Sequence, residues 1–305
     1  MSGWRTESIE VCARGCRFPV VYMEAGGAHR PASRSEVPLV YLHGLGSSRL
    51  DFAPAAAAPA LAGLRLIAVD LPGSGDSPLP GLLAPGITDL VPVVEQVLAA
   101  IGGGRVDLIG HSMGGLVGLL VASRNAPAVR SFVNVEGNLA PVDCRVFSRR
   151  AVELAETLPA CRVIERLAAE ILRSDRPGYE RFAGRFRSAV QPEAFLRYCR
   201  SIVEVSEKEP LLERFLGLRM PRLFVHGRTN RDLPYLDDLR RGGIEVAEIP
   251  RSDHFPIDTN PRDFFAALGS FVRRPACRAL PAAGGTPPAP PRSPDGEPPA
   301  PGPGR

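Results

Sequence analysis

Apolar residues recur along the chain in short unbroken runs: Pro38–Leu42, Leu64–Val69, Val106–Ile109, Phe132–Val135, Leu223–Val225 and Ile244–Ile249. Runs of this length suit strands buried on both faces, as in a parallel sheet; strands with one wet face alternate instead. Ser8–Ala13 and Phe18–Glu24 alternate in part and flank a turn at Gly15, which predicts a β-hairpin ahead of the sheet. Helical stretches fall between the runs, over Asp89–Ile101 and Met113–Asn125. Strand and helix in alternation predict an α/β fold whose mostly parallel sheet has right-handed crossovers and helices on both faces.

Between residues 138 and 218 the alternation stops. Val163, Ile164, Leu167, Ala168, Ile171 and Leu172 repeat at helical spacing, as do Phe195, Leu196, Cys199, Ile202 and Val203. The expected organisation is a first core segment over 1–137, an all-helical insertion over 138–218 and a second core segment over 219–274. From 275 to 305 proline, glycine and alanine dominate and periodicity vanishes. That composition cannot bury enough surface to offset the entropy of ordering, so a disordered tail is expected.

Composition removes several function classes. The net charge of +4 on 305 residues comes with no long basic run, so nucleic-acid binding is not expected. Cys12 and Cys16 stand near each other, but no second Cys/His pair completes a zinc site. Cys144, Cys161, Cys199 and Cys277 are scattered; the six read as reduced thiols. The N-terminus lacks the apolar stretch of a secretory signal, and Leu116–Ala122, the longest apolar run, is too short to cross a bilayer. A cytoplasmic protein with no metal, no cofactor and no membrane partner is the expectation.

The strongest chemical signal is Leu108-Ile-Gly-His-Ser-Met-Gly-Gly-Leu116, which contains Gly110-x-Ser112-x-Gly114 between a strand run and an apolar helix. That setting gives the motif its meaning: the glycines permit a sharp turn that lifts the serine hydroxyl above the sheet. The next amide, Met113, starts the helix and points where a developing oxyanion is favoured.

With this motif the chain resembles the α/β-hydrolase fold superfamily over roughly residues 5–273, in a serine-nucleophile form with a helical cap inserted over 138–218. Leu42-His-Gly-Leu-Gly-Ser47 is similar to the family's His-Gly oxyanion turn, which implies Leu45 as the second amide donor. Asp70-Leu-Pro-Gly-Ser-Gly-Asp-Ser77 is similar to a turn the family uses structurally, so Asp70 and Asp76 are assigned no chemistry. Ser252-Asp-His-Phe-Pro256 follows the last strand run, and the resemblance implies His254 as the catalytic base. The other histidines read as a solvated loop residue (His29), an oxyanion-turn support (His43), a neighbour of the nucleophile (His111) and a packed strand end (His226).

The base needs an acid to fix its tautomer and stabilise the imidazolium. The usual position, in the turn after Leu223–Val225, holds the neutral Asn230; Asp232 comes two places late and Asp253 adjoins the histidine itself. Glu136 ends the run Phe132–Val135 and precedes Gly137, which allows a sharp exit from the sheet edge. Asn134-Val-Glu-Gly-Asn-Leu-Ala-Pro141 also resembles a subgroup that pairs such a glutamate with asparagine in the later turn. Glu136 is therefore taken as the acid, with Asp232 as the alternative. The resemblance implies a serine hydrolase cleaving an ester-type acyl bond of a small, largely apolar substrate. The alternatives are a biosynthetic cyclase or acyltransferase of the same fold, or a ligand-binding module. Cap residues Val146, Phe147, Phe182, Phe186, Leu196 and Leu212 are candidates for a hydrophobic wall, most of them cap core; Arg149 and Arg150 read as solvated charge.

Overall fold

The computed structural model describes residues 3–26, 37–79, 86–102, 105–124, 126–174 and 176–274. His29, Cys277 and the tail expected over 275–305 lie outside the described residues. The hairpin is longer than its alternation predicts: β1 (Trp4–Ala13) pairs with β2 (Cys16–Ala25) along their full length. The link is Arg14–Gly15, with φ of 48° and 78°. Positive φ at both central residues is what a type I′ hairpin turn requires. Thr6, Glu7 and Ser8 are exposed in β1, so pairing with β2 rather than burial extends the strand to Trp4.

The remaining strands are β3 (Leu39–Leu42), β4 (Leu66–Val69), β5 (Val106–His111), β6 (Val129–Val135), β7 (Arg222–Gly227) and β8 (Glu245–Ile249). They join the hairpin in one eight-stranded sheet of order β1-β2-β4-β3-β5-β6-β7-β8. β2 is antiparallel to both neighbours, and every pairing from β4 to β8 is parallel. Each apolar run feeds two cores because side chains alternate across the pleat. Val40, Leu42, Leu108 and Phe132 face one side, where α1 (Ile87–Gly102) and α2 (Met113–Arg124) pack. Leu39, Tyr41, Ile109 and Val133 face the other, against the 3-10 segment Arg49–Ala57 and, near the C-terminus, Phe264, Phe265 and Leu268.

Among the described residues five α-helices lie between β6 and β7: α3 (Ser148–Leu154), α4 (Ala160–Leu172), α5 (Pro177–Ala189), α6 (Pro192–Lys208) and α7 (Leu211–Gly217). The apolar stripe of α4 is buried from Val163 to Ile171, whereas Leu172 is half exposed and belongs to the wet face. Downstream come α8 (Leu236–Arg241), α9 (Pro256–Thr259) and α10 (Pro261–Val272). α5 is fixed to the core below it. Arg185 pairs with Asp258 at 2.6 Å and approaches Asp51 at 3.5 Å. Phe182 stacks on Phe255 with ring centroids 4.9 Å apart. Among the described residues no helix is long and apolar enough to cross a membrane.

Candidate active site

Three turns at the C-terminal edge of the sheet converge on one cavity. The first follows β5. Ser112 has φ of 50°, in the left-handed region that side chains rarely adopt. The turn is held by its own crowding: a Cβ at Gly110 would overlap the Gly114 carbonyl, and one at Gly114 would overlap the Leu42 carbonyl. Met113 opens α2, so its N–H has no acceptor within the helix and sits at the positive end of the dipole.

The second turn follows β6. Glu136 also has a positive φ, 47°. Asn134 accepts the Gly137 N–H at 2.6 Å, and a Cβ on Gly115 would stand 2.7 Å from the Gly137 Cα. Backbone bonds tie the edge together: Ser112 N–H donates to the Val135 carbonyl at 2.9 Å and Glu136 N–H to the Val225 carbonyl at 3.0 Å. The serine turn, the glutamate turn and β7 are thus held in one ladder.

The third turn carries His254, whose Nδ1 lies 2.6 Å from Glu136 Oε2. Asn230 Nδ2 donates to the same oxygen at 2.6 Å, and Gly227 N–H donates to Oε1 at 2.7 Å. The Glu136 side chain is only 4% exposed, and its carboxylate accepts from three donors. Burial works against protonation of His254, but the hydrogen bond and charge of Glu136 outweigh it, and the net shift of its pKa is upward. Because Nδ1 faces a carboxylate it carries the proton, which leaves Nε2 as the basic nitrogen.

His111 supports this loop from beneath. Its Nε2 donates to the His254 carbonyl at 2.8 Å, and burial, with His254 nearby, holds its pKa down at about 3. Burial favours the neutral ring, and that bond sets its proton on Nε2. His43 accepts the Leu71 N–H at Nε2, 2.9 Å away, so its Nδ1 carries the proton and donates to the Gly44 carbonyl at 2.7 Å. That pair fixes the turn bearing Leu45. Asp70 accepts the backbone N–H of Arg49 at 2.6 Å and of Asp76 at 2.8 Å, and pairs with the Arg49 side chain. Its part is structural. His226 is fully buried, with Nδ1 donating to the Gly227 carbonyl at 3.0 Å.

Gly44, Leu45, Ser112, Glu136, Asn230 and His254 line a cavity of about 150 Å³. Val146 and Phe147, in the turn before α3, and Phe182 of α5 line it too, Val146 with most of its side chain exposed; Phe186 and Leu196 are instead buried among the helices. Asp232 is exposed and lines a different groove on the outer side of the turn. Arg149 and Arg150 pair with Glu207 and Glu170.

Sequence patterns do not reveal the parts played by several other residues. Asp253 takes the Gly178 N–H at 3.0 Å and the Phe255 N–H at 2.9 Å, joining the start of α5 to the histidine loop. Asp143 lines the cavity and accepts from Tyr235 at 2.9 Å; burial raises its pKa to about 6. Tyr179 also lines the cavity, its pKa pushed up to about 12 chiefly by burial. Gly178 lies 75 residues before Asp253, and nothing in the sequence marks such a pairing.

A model of the alpha/beta hydrolase family matches residues 39–268. The chain is similar to the pimeloyl-[acyl-carrier protein] methyl ester esterase of Aeromonas hydrophila, 27% identical over 252 residues that cover 77% of this chain and 94% of that protein. It is also similar to the sn-1-specific diacylglycerol lipase of Mus musculus, 26% identical over 77% of this chain and 80% of that one. Among solved structures, the enol-lactonase from Burkholderia xenovorans shares the fold with a TM-score of 0.67 at 20% identity, covering 87% of this chain and 100% of the other.

Proposed function

The chain belongs to the alpha/beta hydrolase family, and on that premise we propose that it is a serine hydrolase acting on an ester-type acyl bond through an acyl-enzyme. The observation that carries the reading is the 2.6 Å contact between His254 Nδ1 and a buried Glu136 carboxylate, at a cavity lined by a serine with φ of 50°. In the proposed reaction His254 Nε2 removes the Ser112 proton as Oγ attacks the carbonyl carbon. Glu136 stabilises the imidazolium that forms, and Asn230 and Gly227 keep the carboxylate in place. The Leu45 and Met113 amides receive the oxyanion. His254 then gives its proton to the leaving oxygen as the C–O bond breaks. Water, deprotonated by His254, then attacks the acyl carbon, and His254 returns that proton to Ser112 Oγ as the acyl–Oγ bond breaks, releasing the carboxylic acid and free Ser112.

We further propose that residues 138–218 form a cap unit whose Val146, Phe147 and Phe182 wall the acyl site. A cavity of about 150 Å³ is of the size that holds a benzene-sized group, which supports a short acyl chain. The test is turnover of p-nitrophenyl butyrate, with Ser112→Ala as control and the product identified with and without added alcohol. Butyric acid as the main product in both cases, with Ser112→Ala inactive, is the expected result. Butyrate ester as the main product would show a transferase, and full activity in Ser112→Ala would refute the reading.

A further inference from the structure

Outside the cavity, on the far side of the histidine loop, lies a groove of about 490 Å³ whose eleven lining residues include five arginines. Lysine and arginine together make 37 of the chain's 305 residues, so the groove holds far more positive charge than composition supplies. The five come from three separate segments: Arg176 and Arg181 at the start of α5, Arg228 and Arg231 after β7, and Arg251 before His254.

Little in the protein neutralises them. Arg228 reaches Glu248 only at 3.8 Å, and Arg181 donates to the backbone carbonyl of Asp258. Among the described residues no ion pair holds Arg176, Arg231 or Arg251, and all three are exposed. The groove has two carboxylates, Asp232 and Asp253, and the latter already accepts two backbone N–H groups. Arg251 has φ of 52°, a conformation in which a β-carbon is strained. Clustered like charges in a concave site raise the local potential and concentrate anions, and guanidinium forks match phosphate oxygens.

Arg176 lines both this groove and the catalytic cavity, so the two adjoin at its side chain. We propose that the groove is an anion subsite for phosphate groups carried on the leaving-group side of the substrate. The substrate class is then an acyl ester or thioester of a phosphorylated alcohol or thiol. Its acyl end sits at Ser112 and its phosphates lie beyond Arg176. The substrate half of this inference rests on the hydrolase reading above; the anion site itself does not.

The test uses the full chain and a double variant, Arg231→Gln with Arg251→Gln. Both residues lie outside the catalytic cavity. Pyrophosphate binding is followed by calorimetry, and kcat/KM is measured for butyryl-coenzyme A and for butyryl-N-acetylcysteamine, which lacks phosphates. Pyrophosphate should bind the wild type and lose about tenfold or more in affinity in the variant. Butyryl-coenzyme A should be the better thioester, and the variant should lose a similar factor on it through KM while the neutral thioester is unaffected. Absent or variant-insensitive pyrophosphate binding would overturn the anion site. Bound pyrophosphate with both thioesters used equally well would overturn the leaving-group assignment and make the anion a separate effector. Failure to turn over either thioester while p-nitrophenyl butyrate is hydrolysed would overturn the thioester assignment; failure on all three would count against the hydrolase reading, with the calorimetry still deciding the groove.

Discussion

Glu136→Gln changes the candidate site by one atom and removes its negative charge. In the native arrangement Oε2 accepts from His254 Nδ1 and Asn230 Nδ2, and Oε1 accepts from Gly227 N–H. A glutamine has one acceptor oxygen to share among these donors. With that oxygen toward His254, its NH2 confronts the Gly227 N–H; flipped, its NH2 confronts His254 and moves the imidazole proton to Nε2, so the base is lost. Either way no charge stabilises the imidazolium, in a site where the carboxylate is only 4% exposed. The acid-to-amide change in a Ser-His-Asp site costs about 10⁴ in kcat. At 1.36 kcal/mol per factor of ten this is about 5.4 kcal/mol of barrier. We expect a loss of about 10³- to 10⁴-fold in kcat on p-nitrophenyl butyrate. Asp232→Asn, on an exposed residue outside the cavity, should stay within about twofold of wild type. A melting curve for each variant separates lost chemistry from lost folding. Near-native turnover in folded Glu136→Gln, with activity lost in Asp232→Asn, would refute the assignment.

Three further outcomes are expected. The acid limb of the kcat/KM profile should fall above the ordinary histidine value of 6.5, because the net shift of His254 is upward, and activity is lost as pH drops through it. Folding stability runs the other way: a raised folded pKa contributes fully below the unfolded value and is lost as pH rises through the folded one. A limb below 6.5 would contradict the Glu136 contact. Gly115→Ala puts a Cβ 2.7 Å from the Gly137 Cα and 2.8 Å from Asn134 Oδ1. Overpacking of this kind costs about 1–3 kcal/mol, a few degrees in Tm, and should also displace Glu136 and lower kcat. An unchanged melting curve would count against that close approach. Asp253→Asn turns one of two backbone acceptors into a donor, costing about 1–3 kcal/mol. Trypsin should then cut faster within residues 138–218, and equal cleavage rates would show that Asp253 does not hold α5 down.

What the sequence makes legible follows from how local its physical cause is. Gly110, Gly114 and Ser112 stand out because one turn cannot close unless both glycines lack a side chain, so the constraint falls within five residues. The strand runs are visible because both faces of the sheet are covered, whereas residues 4–7 of β1 lack an apolar pattern and are strand only through pairing with β2. The position of Glu136 could be reasoned from its strand end and the glycine after it, and the family resemblance implied His254 and an asparagine of the later turn as its partners; the Gly227 N–H that it accepts had no such signal. Asn230 looks like a missing acid in the sequence and in the structure donates to Glu136 at 2.6 Å, across 94 residues. The arginine groove is the extreme case. In a chain with arginine throughout, three separated segments converge only after folding, and no spacing announces it.

The central claim is that Ser112 is the nucleophile activated by His254 and Glu136. Incubation with a fluorophosphonate, followed by peptide mass mapping, tests it most directly. One phosphonyl group should be found on Ser112 in the wild type, none in Ser112→Ala, and labelling should slow by orders of magnitude in His254→Ala and Glu136→Gln. A phosphonyl group on another residue, or no label while ester turnover proceeds, would contradict the account.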